Sequence, residues 1–297
     1  MTAARAHRGT ILVEDAEVLG QDAWPGAQQV LRLRAPRIAR RAEPGSFVHL
    51  RCGEDLPMRR PLSIQRADPE SGLIEILYKV LGPGLAALAR AAAGTRLSLM
   101  GPIGRGFTQV AARRRSLLIG GGVGMPPMLF LAERLAANAG DGPPPFVLLG
   151  SEVPFPFRPR PSTLLVPGVP AGTIASMPLL EDAGIPSRLA SLAGFAGCYQ
   201  GYVTDLAAAW LGSLGPVALA EVAIYACGPT PMLAAVARVA ARFHVPAQVS
   251  LEEFMACAVG GCAGCAVRVT TADGSAMKRV CVDGPVFDAV AVFPPGP

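Results

Sequence analysis

The sequence predicts a multidomain chain: an N-terminal antiparallel β-barrel, a central α/β domain on a parallel sheet, and a small C-terminal cysteine module. Three observations carry that expectation. Up to about residue 108, short apolar alternations are broken by turn residues, as in small barrels and sandwiches. Beyond the Arg113–Arg115 run, buried strands alternate with helical stretches, the pattern of a parallel sheet covered on both faces. Near the C-terminus, four of the seven cysteines fall between residues 257 and 281.

In the first region Thr10–Val13, Val30–Leu33, Phe47–Leu50, Leu62–Ile64, Leu73–Tyr78 and Leu97–Leu99 read as half-buried strands, with one short helix at Leu85–Ala92. Ser116–Ile119 reads as a buried strand entering Gly120–Gly124, followed by a helix over Pro127–Asn138 and a strand at Phe146–Leu149. Val222–Ala226 repeats the unit, running into Cys227-Gly228-Pro229 and a helix over Thr230–Phe243. Ala266–Thr271 reads as a strand of the last unit. Between these lies Ser151–Gly197, proline-rich and aperiodic, too long for an ordinary connection. The expected bounds are 8–110, 111–248 and 249–297.

Composition narrows the classes. At roughly 150 residues per domain, 297 residues make about two domains plus a small module. An apolar fraction of 51% and a mean hydropathy of +0.38 supply a large core. The longest uncharged stretch, Pro161–Leu180, contains Pro161, Pro167, Pro170 and Pro178, which a spanning helix does not tolerate. Neither a membrane span nor a secretory signal is read, and a cytoplasmic location is expected. The net charge of +5 rests on scattered arginines, and aromatics make up only 6%, so no nucleic-acid stripe exists. His7, His49 and His244 form no paired motif. Cysteines in a cytosolic chain point to metal or catalytic use rather than a disulfide framework.

The cysteine spacing is the most specific signal. Cys257, Cys262 and Cys265 are spaced C-x4-C-x2-C, and Cys281 follows after fifteen intervening residues. That is the plant-type [2Fe–2S] arrangement with a shorter reach to the fourth ligand. Two bridged irons need four thiolates in a small volume, and Gly260, Gly261 and Gly264 let a loop wrap around them. A tetrahedral zinc site is the competitor, though its ligands usually come as two short pairs.

Ile119-Gly120-Gly121-Gly122-Val123-Gly124-Met125-Pro126-Pro127, between a strand and a helix, suits a phosphate or simply a tight turn. It is not G-x-G-x-x-G, because Met125 stands where the last glycine would fall. Cys227-Gly228-Pro229 lies at the carboxyl edge of a strand, where such sheets bind ligands, although Cys227 alone could be a small core residue. In Arg59-Arg60-Pro61-Leu62-Ser63-Ile64, an arginine and a hydroxyl could face one anion, or the arginines could only begin a strand.

Taken in order, the R-x-P-L-S-I segment, Gly82-Pro83-Gly84, Gly101–Phe107, GGGVGMPPM and CGPTPML resemble the ferredoxin–NADP⁺ reductase-like superfamily. With SLEEFMACAVGGCAGCAV and VCVDGPVF behind them, the chain is similar over residues 8–288 to electron-transfer subunits of NAD-linked, two-subunit dihydroorotate dehydrogenases. The resemblance implies FAD held by Arg59, Pro61, Leu62 and Ser63, with Lys79, Gly82 and Gly84 near its ribityl and pyrophosphate groups. It implies NAD(H) over Gly121, Gly122, Gly124 and Pro126, with Cys227, Gly228 and Pro229 near the nicotinamide, and a [2Fe–2S] cluster on Cys257, Cys262, Cys265 and Cys281.

There are two departures. Leu85 stands where the family commonly has Thr or Ser, and Ser151–Gly197 replaces a shorter connection. Arg158 and Arg160 in that segment could meet a 2′-phosphate or dock a partner.

The implied activity is electron transfer in pyrimidine biosynthesis. FAD must stand between a two-electron nicotinamide and a one-electron cluster, with no side chain acting as nucleophile or base. A dihydroorotate-oxidising barrel would need about 250 further residues. A catalytic partner is therefore implied, an FMN-containing dihydroorotate dehydrogenase barrel joined in a heterotetramer. The alternatives are a reductase of the same superfamily serving another partner, ferredoxin-linked or otherwise, and a non-catalytic redox sensor.

Overall fold

The computed structural model describes residues 10–294 apart from Glu54, Asp141 and Asp273. His7 lies outside the described residues. Strands β1 (Leu12–Trp24), β2 (Gln28–Arg34), β3 (Phe47–Arg51), β4 (Arg59–Ser63), β5 (Arg66–Asp68), β6 (Leu73–Lys79) and β7 (Arg96–Ile103) form one antiparallel sheet, with α1 (Pro36–Ala39) and α2 (Gly82–Leu88) on its connections. The strand order is β4-β3-β7-β1-β2-β6-β5. Its two edge strands are joined by Ile64 and Gln65 alone, so the sheet must curl until its edges meet. Gln65 N–H donates to Glu75 O on β6 at 2.8 Å. The inward residues Val18, Leu31, Leu33, Val48, Leu50, Ile74, Ile76 and Leu99 fill the interior, as the alternation predicts. β1 runs eleven residues past the expected strand end at Val13 by crossing a bulge between Val18 and Gly20. α2 starts at Gly82, three residues before the expected helix, because a proline is tolerated in the first turn.

The second sheet is built from β8 (Arg115–Gly121), α3 (Met125–Ala137), β9 (Phe146–Gly150), a small pair β10 (Arg160–Pro161) and β11 (Ala175–Ser176), α4 (Pro178–Asp182), β12 (Ser187–Ser191), β13 (Tyr199–Gln200), α5 (Val203–Ser213), α6 (Pro216–Ala220), β14 (Val222–Cys227), α7 (Thr230–Phe243) and β15 (Ala247–Ser250). The chain ends with the hairpin β16 (Ala266–Thr271) and β17 (Gly274–Arg279), then β18 (Val286–Asp288) and α8 (Ala289–Val292). The order of the large sheet is β13-β12-β9-β8-β14-β15-β18. All pairs are parallel except β15 with β18, so the sheet is mixed, not purely parallel. The cause is that the chain, having left for the cysteine hairpin, returns to cover the open edge of β15.

Ser151–Gly197 contains real elements that the sequence pattern hides. β12 is buried at all five positions although three of them are polar. Ser187 Oγ accepts from Met177 N–H, Ser191 Oγ donates to Ser151 O, and Arg188 donates to Ser187 O and Leu164 O. Local partners satisfy the serines and both terminal nitrogens of Arg188, leaving only its Nε unpaired, so a central strand needs no apolar alternation. Glu181 accepts from Thr163 and Leu164 N–H and from the Ser162 and Thr163 hydroxyls, closing the segment on itself.

Two junctions fix the units to each other. Gln28 Nε2 on the barrel donates to Pro154 O in the loop after β9 at 2.8 Å. Arg105 N–H donates to Gly284 O at 2.6 Å, where the loop after β7 meets the segment leading to β18. Among the described residues no helix is long and apolar enough to cross a membrane.

Gly104 holds φ at +89°, and a Cβ there would collide with Pro285 Cδ. Gly104→Ala is expected to cost about 1–3 kcal/mol through backbone strain and overlap. A lower urea midpoint with new proteolytic sensitivity between β15 and β18 checks it; an unchanged midpoint would show the junction to be slack.

Candidate functional site

The order of the large sheet reverses between β8 and β14, and the crevice outside the carboxyl ends at such a reversal is where open α/β sheets bind ligands. The glycine turn after β8 and Cys227-Gly228-Pro229 after β14 face each other there. A Cβ on Gly124 would collide with the backbone carbonyl of Cys227, so only glycine lets the two turns meet. Gly121 and Gly228 lie under the Met232 thioether, and Pro126 is buried in the first turn of α3. Gly122, with φ +55° and nothing within 4 Å of its Cβ position, is the glycine whose backbone is open to an approaching phosphate.

Cys227 is fully buried, and burial, then the Glu252 carboxylate, push its thiol well above the ordinary range. Glu252 was not singled out by the sequence. Its outer edge is exposed, yet burial raises its carboxyl pKa, as expected of a group lining a concave crevice. Its signal was its place, two residues past the carboxyl end of β15.

On the barrel side the paired arginines divide their work. Arg59 donates to His49 O at 3.1 Å, to Ser98 O at 2.7 Å and to Ser98 Oγ at 2.7 Å, tying β4 to β3 and β7. Arg60 turns the other way, its hydrogen bonds reaching only the carbonyls of Met58 and Arg59. Its guanidinium lies 3.3 Å from the Cβ position of Gly84. Arg60, not singled out in the sequence, therefore shares a surface with Gly82-Pro83-Gly84 and the exposed end of β6 at Lys79. Leu62 is buried in the barrel interior, and Pro61 and Ser63 are half-buried on the opposite face of β4.

The cysteine loop brings its thiols together in pairs. Cys262 N–H donates to Cys257 Sγ at 3.4 Å, and Cys265 Sγ lies 3.3 Å from Cys281 Sγ. Burial raises the Cys257 thiol, but N–H groups of Val259, Cys262 and Gly261 and the Cys262 side chain outweigh it, bringing it down to about 7. Cys281 is pushed up to about 12 by burial and by its neighbour Cys265. Among the described residues no three His, Cys, Asp or Glu side chains converge as a single-ion site requires. Of the three glycines expected to turn the loop, only Gly260 has positive φ, +81°; Ala258 and Ala263 take the other left-handed positions at +55° and +53°. Cys52 and Cys198 lie elsewhere, in the barrel and nucleotide-sheet cores.

A curled antiparallel barrel, a switch-point crevice and a paired-thiol loop define a ferredoxin-reductase-like oxidoreductase component. Its fold matches a chain of the NADH-dependent reduced ferredoxin–NADP oxidoreductase, with a TM-score of 0.72 at 26% identity over 94% of this chain and 90% of that one. Residues 252–293 match the iron-sulfur cluster binding domain of dihydroorotate dehydrogenase B. The electron transfer subunit of dihydroorotate dehydrogenase B (NAD(+)) from Desulforamulus reducens is 34% identical over 93% of this chain and 96% of its own length. The subunit from Shouchella clausii is 33% identical over 86% of this chain and 89% of its own. The chain belongs to this family of electron transfer subunits.

The bonding of the two arginines separates their effects on stability. Arg59→Ala is expected to destabilise the cofactor-free chain by roughly 1.5–3 kcal/mol, the range for hydrogen bonds to a charged group. Arg60→Ala should leave its urea midpoint within about 0.5 kcal/mol, the usual range at a surface site. Equal losses in both variants would contradict this division.

Proposed function

We propose that the chain carries electrons between NAD(H) and a catalytic dihydroorotate dehydrogenase subunit through FAD and a [2Fe–2S] cluster. The observation that supports this most is the junction of three parts: Arg60 over Gly84, the crevice at the β8/β14 reversal, and thiols arranged in two pairs. Two pairs suit two irons, one pair on each. Residues 8–110 would hold the flavin, 111–248 the nicotinamide nucleotide and 249–297 the cluster.

Bound FAD would exchange an electron pair with nicotinamide and single electrons with the cluster, so it belongs between them. The protein's part is to bind, orient and exclude water. Arg60, Lys79 and the backbone of Gly82 and Gly84 would neutralise the FAD phosphates, with Arg59 bracing the strand that carries Pro61, Leu62 and Ser63. The Gly122 backbone would meet the NAD(H) phosphates, with Gly121, Gly124 and Pro126 shaping the turn. Pro229 and Gly228 would border the nicotinamide, and Cys227 and Glu252 would form the floor and wall of its pocket. Arg160 is ion-paired with Asp182 inside its own segment, which leaves Arg158 alone for a 2′-phosphate and favours NAD(H). The partner would be an FMN-containing barrel in a cytoplasmic heterotetramer.

A second reading, a subunit serving a ferredoxin-linked complex, is favoured by the likeness to the NADH-dependent ferredoxin–NADP oxidoreductase. Affinity purification from the native cell separates the two: a dihydroorotate-oxidising barrel is expected, and a ferredoxin-reducing partner in its place would support the second reading.

Anaerobically purified protein should carry about two irons, two acid-labile sulfides and one FAD per chain, and NADH should bleach both chromophores. Arg60→Ala should weaken FAD binding at least tenfold in Kd, the effect of losing a charge-assisted contact of about 1.5–3 kcal/mol. Zinc without sulfide, or an unchanged FAD Kd in that variant, would refute the assignments.

A further inference from the structure

The segment carrying the fourth cysteine is joined to the three-cysteine loop at two places. At the first, Val280 N–H donates to Cys265 O at 3.0 Å. At the second, a side chain that the proposed mechanism does not use reaches the turn between Cys257 and Cys262: Arg279 Nη1 donates to Gly260 O at 2.9 Å. The approach is close, since a Cβ on Gly260 would overlap Val282 Cγ2 and lie 3.2 Å from Arg279 Nη1.

Arg279 is fixed at its base. Its backbone N–H donates to Asp283 Oδ2 at 2.8 Å, and its Nε lies 3.5 Å from the same oxygen. Its carbonyl accepts from Val282 N–H at 3.1 Å and Asp283 N–H at 2.7 Å, closing residues 279–283 into a turn with Cys281 at its centre. The ion pair with Asp283 is partly exposed and contributes little by charge alone. What it does is aim the guanidinium. One side of the contact rests on the shared core through Cys265, Val280 and Cys281. On the other, a cavity of about 390 Å³ is lined by Gly260, Arg279 and Cys281 from the module and by Gly104 and Arg105 from the barrel. On that side directed bonds take the place of packed side chains.

The bond to Gly260 O also has a polarity. The Gly260–Gly261 peptide is trans, so its N–H points opposite to its C=O. With the carbonyl held toward Arg279, the Gly261 N–H is directed the other way, and it is among the groups that bring the Cys257 thiol down. A cation on a peptide oxygen polarises the unit and strengthens the bond its N–H makes.

We infer that Arg279 is a positioning residue for the cluster: it clasps the Cys257–Cys262 turn to the turn carrying Cys281, and through the Gly260–Gly261 peptide it favours the reduced form of the group the thiolates bind. The inference rests on the [2Fe–2S] reading above. Two thiol pairs, Cys257 with Cys262 and Cys265 with Cys281, keep a single separation only while the two turns stay joined. One-electron reduction adds a negative charge, so a nearby cation and an oriented N–H raise the potential.

The test compares Arg279→Met, which keeps an unbranched stem without charge or donor, with Arg279→Lys. Lysine keeps the charge but has no planar fork to serve Gly260 O and Asp283 together. Two measurements are made on the anaerobic holoprotein. Iron release to EDTA reads the clasp, and a potentiometric titration followed by paramagnetic resonance reads the potential without reference to turnover.

Arg279→Met should keep full FAD and reduce its flavin with NADH within twofold of the native rate. It should release iron at least tenfold faster, and its potential should fall by at least a threefold change in the one-electron equilibrium, about 28 mV at 59 mV per tenfold. Arg279→Lys should release iron at least threefold faster at a potential within a twofold change of native. Native iron release or a native potential in Arg279→Met, or an equal loss of FAD, would overturn the inference. If Arg279→Met does not fold, Arg279→Lys decides by itself: faster release at native potential supports the clasp, and native release or a threefold drop overturns it. Absence of iron and sulfide from the native protein would instead sink the proposed function.

Discussion

One apolar core runs through all three parts of the molecule, and the rest of the structure depends on it. Phe47 and Ile103 enter it from the barrel, Leu117, Ile119, Ile224 and Val249 from the large sheet, and Ala258, Cys265, Val280 and Cys281 from the cysteine module. Close-packed interiors do not deform continuously, so a shared core fixes separations that separate cores joined by linkers would leave free. For a chain that moves electrons among bound groups, those separations are the function. The barrel keeps its own interior for closure, and the bond from Arg105 N–H to Gly284 O adds a polar latch at the rim.

The crevice at the β8/β14 reversal follows from topology and then from side-chain size. After β13 the chain returns to the far side of β8, leaving two turns with no strand crossing between them. Gly124 lets the turns touch, and Met232 fills the hollow over Gly121 and Gly228. That leaves the Gly122 backbone open and the Glu252 edge exposed. Exposed ion pairs such as Arg32–Asp22 and Arg115–Glu221 contribute little to this arrangement, since water screens them.

Much of this was legible in the sequence for physical reasons that can be named. Barrel strands face the core on one side, so their alternation shows, and Val222–Ala226 and Thr230–Phe243 carry strong periods with clear boundaries. The thiol spacing is legible because cluster geometry permits few loops. β12 was hidden because its serines and arginine bond locally, which removes the apolar signature of a central strand. The choice between Arg59 and Arg60 was hidden because strand register, not residue type, decides which one faces Gly84 and which braces Ser98. Glu252 was hidden because an acidic residue after a strand acquires its raised pKa only from the walls that the fold brings around it.

The departures from local rules lie along one stretch of chain. Glu252 has its carboxyl pKa raised by burial, and Ala258 and Ala263 hold left-handed conformations that alanine disfavours. All three fall between the end of β15 and the end of the cysteine loop. Strain persists only where surrounding structure over-determines it. Here the surroundings are the shared core beneath and the returning strand β18 beside β15. The stretch from the crevice to the thiols is thus held between two packed supports. A sequence selected for stability alone would have placed glycine at 258 and 263.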